Sequence, residues 1–119
     1  MFAGKVVRIM EQNREILQSF SNDVIKCMGG SVKKIILYGS YARGDYTNQS
    51  DMDIMILTSL DDAGIRNIEN QIYDIAFDYE MSRGIVISVN IQNIDHFNYW
   101  LGALPYYDNV EKEGIVLAG

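Results

Sequence analysis

An α/β or α+β domain with a small sheet is the fold class this sequence predicts, and three observations carry it. Two short apolar, β-branched runs, residues 33–38 and 51–58, flank a polar turn. A third run, residues 85–91, alternates, with Ile85, Ile87, Val89 and Ile91 forming one apolar face. Stretches of helical period lie before the first run and between the second and third, giving the order α-β-turn-β-α-β-α.

The first helix is expected over residues 4–28. Val6, Met10, Leu17, Phe20, Val24 and Met28 recur at helical spacing, with Ile9, Ile16 and Ile25 beside them, and Gly29-Gly30 supplies the stop. Lys33 to Tyr38 reads as a buried strand ending at Gly39, and Asp51 to Thr58 reads likewise. Ser59 with Asp61 and Asp62 marks the next helix start, because early carboxylates complement the helix dipole. Ile65, Ile68, Ile72, Ile75, Ala76 and Tyr79 carry that helix to about Tyr79, and Gly84 opens the third strand. Asp95 begins a short helix through Leu101. Pro105 to Leu117 is expected as a mixed tail with one helical turn and a final short strand.

A chain of 119 residues and 13.5 kDa is expected as one domain spanning residues 1–119, with a single modest core. No apolar run approaches membrane-spanning length, and the start Met1-Phe2-Ala3-Gly4-Lys5 leads into an amphipathic segment rather than a signal-peptide core. A single cysteine, Cys27, permits no internal disulfide and reads as a small core residue, so a cytoplasmic protein is the expectation. The net charge of −6 disfavours a duplex-binding surface, which needs clustered Lys and Arg. A nucleotide is less affected, because backbone N–H groups and a metal ion supply positive potential locally.

The chemistry concentrates between residues 39 and 53. With ten aspartates in the chain, an Asp-x-Asp pair such as Asp51-Met52-Asp53 arises by chance about once. Gly39-Ser40 at one fixed upstream spacing lowers that expectation to roughly a few in a thousand, so the composite is informative. On a strand Asp51 and Asp53 project from one face, roughly 6–7 Å apart, and carboxylates so placed can hold one Mg²⁺ or bridge two. Gly39 lets backbone approach a phosphate. If Tyr41-Ala42-Arg43 forms a helical turn, Ser40 is its N-cap and the free N–H groups face an anion. Arg43 either steadies the turn through a salt bridge or touches substrate. Gly44 and residues 45–50 make a flexible connection back to the aspartates.

Leu37-Tyr38-Gly39-Ser40-Tyr41-Ala42-Arg43-Gly44 followed by Ser50-Asp51-Met52-Asp53-Ile54 resembles the signature of the nucleotidyltransferase superfamily related to DNA polymerase β. It is most similar to the minimal nucleotidyltransferases, whose pattern is Gly-Ser, ten residues, Asp-x-Asp. The resemblance implies a nucleotidyltransferase fold, a small mixed β-sheet flanked by helices. It also implies catalytic, Mg²⁺-binding roles for Asp51 and Asp53, and a nucleoside triphosphate, ATP first, at Gly39 and Ser40 with Arg43 nearby. Minimal members are commonly paired with a helical HEPN-domain protein, and some act as antitoxins by transferring AMP to a tyrosine of that partner. The chain departs from the wider superfamily at the third strand. Where a third carboxylate is expected, the non-core face shows Val86, Ser88 and Asn90, and only Ser88 or Asn90 could add a weak oxygen ligand. Asp78 and Glu80 precede that strand.

Three functions follow from that resemblance and departure. The first is NMP transfer to a hydroxyl of a partner protein within a HEPN/MNT toxin–antitoxin pair. The second is a non-catalytic antitoxin or regulatory subunit that retains the fold. The third, weaker for want of an acceptor site, is adenylylation of a small molecule such as an antibiotic. Oligomerisation is compatible with all three. The sole histidine, His96, has no second His or Cys close by in sequence, which disfavours zinc. Tyr38, Tyr41 and Tyr46 read mainly as packing residues, and Trp100 to Tyr107 reads equally as a lid or a docking surface.

Overall fold

In the computed structural model the backbone is described for residues 2–119 and the side chains for residues 13–119. Helix α1 (Phe2–Met28) is followed by a 3₁₀ turn (Gly29–Ser31), strand β1 (Val32–Tyr38), the short helix α2 (Ser40–Arg43) and β2 (Met52–Thr58). Then come α3 (Asp62–Arg83), β3 (Ile87–Asn93), α4 (Ile94–Trp100), α5 (Pro105–Glu113) and β4 (Ile115–Ala118). The predicted core positions Val6, Ile9 and Met10 lie outside the described side chains.

The sheet has the order β3-β2-β1-β4. β1 runs antiparallel to both β2 and β4, while β2 and β3 are parallel and joined through α3, as a parallel pair requires. The mixed sheet flanked by helices is thus present. The single core that the composition suggests is instead divided between the two sheet faces.

Strand periodicity makes the division. On one face Ile35, Leu37, Met52, Ile54, Ile56, Ile87 and Ile91 pack against Leu17, Phe20 and Val24 of α1 and Ile72, Ala76 and Tyr79 of α3. On the other, Ile36, Met55 and Leu57 are sealed by Phe97 of α4 with Tyr107 and Val110 of α5. Strand β2 is therefore buried on both faces, which its continuous apolar run predicts.

Helix boundaries follow local chemistry. Asp61, rather than Ser59, caps α3 by accepting from the Gly64 amide at 2.9 Å. The helix runs past Tyr79 to Arg83, where Gly84 at φ +70° ends it. Asn93 caps α4 by accepting from His96 N–H at 3.0 Å, so this helix begins at Ile94. The tail holds more helix than one turn: nine residues from Pro105, which sits in the first turn where its missing N–H costs nothing.

Tyr79 clasps α3 to α1. Its hydroxyl donates to Asp23 Oδ2 at 2.7 Å and accepts from Ser19 Oγ at 2.5 Å, and its ring meets Phe20 edge-on at 5.7 Å. Arg83 pairs with Glu15 farther along the same helix pair. Tyr79→Phe keeps the ring but strands both partners, and is expected to lower stability by about 1–2 kcal/mol. A urea midpoint unchanged from wild type would show that this clasp contributes nothing.

Candidate active site

The site is built where β1 ends and β2 begins. Gly39 has φ +75° and ψ −154°, a conformation reserved in practice for glycine. A Cβ built there would collide with Oδ2 of Asp53. Glycine is therefore required twice, by the backbone and by the carboxylate seated against it. The turn reverses into α2, with the Arg43 amide donating to the Gly39 carbonyl at 3.0 Å. Gly39, not Ser40, is the N-cap, and Ser40 is the first helical residue, making no side-chain cap bond. The sequence expectation fails here because the unusual Gly39 backbone starts the helix one residue early.

Gly44, at φ +85°, ends α2 with its amide on the Ser40 carbonyl at 2.9 Å. The connection expected to be flexible carries hydrogen bonds of its own: Thr47 N–H donates to Ser50 Oγ at 2.9 Å, and Ser50 N–H to the Thr47 carbonyl at 3.1 Å. Tyr46 stacks flat on Tyr41, ring centres 4.0 Å apart, which pins this loop over α2.

Asp53 sits in register between Tyr38 of β1 and Ser88 of β3. Asp51 lies one residue before β2 and is exposed. Burial, then the neighbouring Asp51 charge, raises the Asp53 pKa from its ordinary value, while Arg43 pulls it down. Two carboxylates that repel each other, one partly desolvated, form an oxygen donor set fitted to a hard divalent cation. Among the described residues no cluster of three or more His, Cys, Asp or Glu side chains converges as a metal-binding group.

Arg43 is held by Asp45 at 3.3 Å and by Glu113 of α5 at 3.4 Å. Across β3, Asn90 is committed elsewhere. Its Oδ1 accepts from Gln92 at 2.9 Å and its Nδ2 donates to the Tyr106 hydroxyl at 2.8 Å. Ser88, exposed, is the β3 position beside Asp53. Asp78 and Glu80 belong to α3, which packs on the opposite sheet face.

Helix α5 forms the wall that sequence reasoning missed. Tyr106, Asn109, Val110 and Glu113 join Tyr38, Gly39, Ser40, Arg43 and Asp53 around a pocket of about 370 Å³. The signal in the sequence was slight: Pro105 at a helix start, with Tyr106 and Tyr107 placed four and three residues before Val110. Tyr38 and Tyr106 meet hydroxyl to hydroxyl at 2.6 Å, and burial holds the Tyr38 pKa well above its ordinary value. The aromatic segment divides: Tyr107 is buried, whereas Trp100, Leu104 and Tyr106 stay exposed. His96 is exposed beside Trp100 and Tyr107, and Cys27, half-buried, donates weakly to Gln71 Oε1 at 3.4 Å.

Comparisons with known proteins agree on this architecture. The family model described as "Nucleotidyltransferase domain" matches residues 12–117. Two proteins of Methanocaldococcus jannaschii are each 35% identical. "Putative protein adenylyltransferase MJ0604" aligns over 85% of this chain and 93% of its own length, and "Putative protein adenylyltransferase MJ0141" over 62% and 73%. Two crystal structures share the fold at TM-score 0.53, each covering 86% of this chain and 73% of its own. One is a variant of the toxin–antitoxin MntA-HpeT at 16% identity, the other a toxin–antitoxin with AMP-PNP at 18%. With the Gly39 turn seated on Asp53 in this mixed sheet, the chain belongs to the nucleotidyltransferase domain family.

Proposed function

We propose that this nucleotidyltransferase binds ATP with Mg²⁺ and transfers AMP to a hydroxyl of a partner protein, in the cytoplasm, as the antitoxin of a HEPN/MNT pair. The observation that carries the reading is the close approach of Gly39 to Asp53, which seats the glycine turn against a carboxylate. The names of the M. jannaschii relatives favour a protein as acceptor, and the AMP-PNP neighbour favours an adenine nucleotide.

Asp51 and Asp53 would hold Mg²⁺, whose chemistry is to neutralise charge on the phosphates and on the oxygen that leaves. The chain's own residues do the remaining work. Gly39 and Ser40 present backbone N–H groups to the terminal phosphates at the entry of the turn. Arg43, released from Asp45 or Glu113, adds a fixed positive charge beside them. Helix α5 shields one side of the pocket, which strengthens these interactions by excluding water.

A second reading, a non-catalytic antitoxin that retains nucleotide binding, is favoured by the Ser88 and Asn90 side chains where an acid would complete the metal site. Incubation with labelled ATP, Mg²⁺ and the protein encoded by the neighbouring reading frame separates the two. Transfer is expected to label the partner and to require Asp53. Full toxin neutralisation by Asp51→Asn/Asp53→Asn, with no label transferred by wild type, would establish the second reading.

A further inference from the structure

The pocket contains a nucleophile of the chain's own. Tyr106 is 44% exposed, and its hydroxyl stands in the wall that faces Gly39, Ser40 and Asp53. Two polar groups fix that oxygen. Asn90 Nδ2 can only donate and does so at 2.8 Å, with Asn90 itself oriented by Gln92, and the Tyr38 hydroxyl lies 2.6 Å away. A surface tyrosine ordinarily offers its hydroxyl to solvent. Here a donor relay reaching back along β3 aims it, and the Tyr38 ring braces it edge-on at 5.9 Å.

We propose that Tyr106 is an acceptor, so that the protein transfers one nucleoside monophosphate onto its own α5. The inference rests on the transfer reading above and extends it to a substrate within the chain. The phenolic oxygen of Tyr106 bonds to the α-phosphorus of a bound nucleoside triphosphate. The bond from that phosphorus to the bridging oxygen of the β-phosphate breaks, and pyrophosphate leaves with the electron pair. The phenolic proton passes to water, which reaches the exposed ring. Hydrogen bonds from Asn90 and Tyr38 favour the step because they strengthen as negative charge develops on the oxygen they contact.

The product occupies the pocket that made it. A nucleotide esterified to Tyr106 lies against Gly39 and Ser40 and bars the next triphosphate, so the reaction ends after one turnover per chain.

The test is intact-protein mass spectrometry of the purified full chain incubated with Mg²⁺ and each of the four nucleoside triphosphates, with pyrophosphate release followed in parallel. The expected result is a gain of one nucleotide per chain, mapped by peptide fragmentation to Tyr106, with a pyrophosphate burst of equal stoichiometry. The rate per chain is expected to be unchanged on dilution, since the acceptor is intramolecular. Tyr106→Phe, confirmed as folded by its thermal midpoint, is expected to lose the adduct. An adduct at another residue, or one that persists in Tyr106→Phe, overturns the proposal. Wild type that labels its partner protein yet acquires no nucleotide overturns self-transfer and leaves the transfer reading standing. Wild type that neither releases pyrophosphate nor labels any protein overturns both.

Discussion

Gly39→Ala is expected to abolish nucleotide transfer and to lower stability in the same step. The backbone there, at φ +75° and ψ −154°, lies where side chains are rarely tolerated, at a cost of about 1–3 kcal/mol. The added methyl also meets Oδ2 of Asp53 below any contact distance, so either the turn or the carboxylate must move. Asp53 is central in the sheet, paired on both sides, and cannot retreat without disturbing Tyr38 or Ser88. The turn therefore gives way, and with it the N–H groups of α2. Thermal midpoint should fall by roughly 5–15 °C, and label transfer should drop to background. A double-mutant cycle separates the two causes: in an Asp53→Gly background the steric part vanishes and only the backbone penalty remains. Equal losses in both backgrounds would show that the carboxylate contact is irrelevant.

Asp53→Asn is expected to trade activity for stability. Burial and Asp51 raise the Asp53 pKa in the fold, so the folded chain holds that proton more tightly than the unfolded one. The stability this provides is complete below the ordinary carboxylate pKa and is lost as pH rises through the raised folded value. At neutral pH the ionised side chain is therefore a net cost, which the amide removes. Without metal the variant should melt above wild type at pH 7, and the gap should close as pH falls into the acid range. Mg²⁺ should reverse the order, because only the wild type gains binding free energy from it. Transfer should fall on the order of 10³-fold, the scale of losing one charge-stabilising group. A variant that melts below wild type in chelator at pH 7 would contradict the electrostatic account.

What was legible in the sequence is what local chemistry decides. The continuous run from Met52 to Thr58 announces a strand buried on both faces, and Asp61 and Gly84 bracket α3 by capping rules that need no partner. Gly39 and Asp53 are legible as a pair because their spacing is fixed by one turn. Ser40 was misplaced because capping preference assumes an ordinary backbone at the preceding residue, which Gly39 does not have. The neighbour of Asp53 on β3 was not legible. Whether Ser88 or Asn90 stands beside it depends on strand register, and register is set by both core faces acting together. Helix α5 was underestimated for a related reason, since its apolar stripe is short and only Ile36, Met55 and Leu57 beneath it make the burial worthwhile.

The last strand added to the sheet has a consequence for synthesis on the ribosome. β4 covers the outer edge of β1, and α5 immediately before it supplies one wall of the pocket. The ties between wall and turn, Tyr38 to Tyr106 and Arg43 to Glu113, join residues about seventy positions apart. A growing chain that has emerged only as far as β3 thus owns the phosphate turn and both aspartates, with β1 still bare along one side. Such a chain can fold a platform but not a closed site. Closure of the site therefore waits until α5 has been made and docked against the turn.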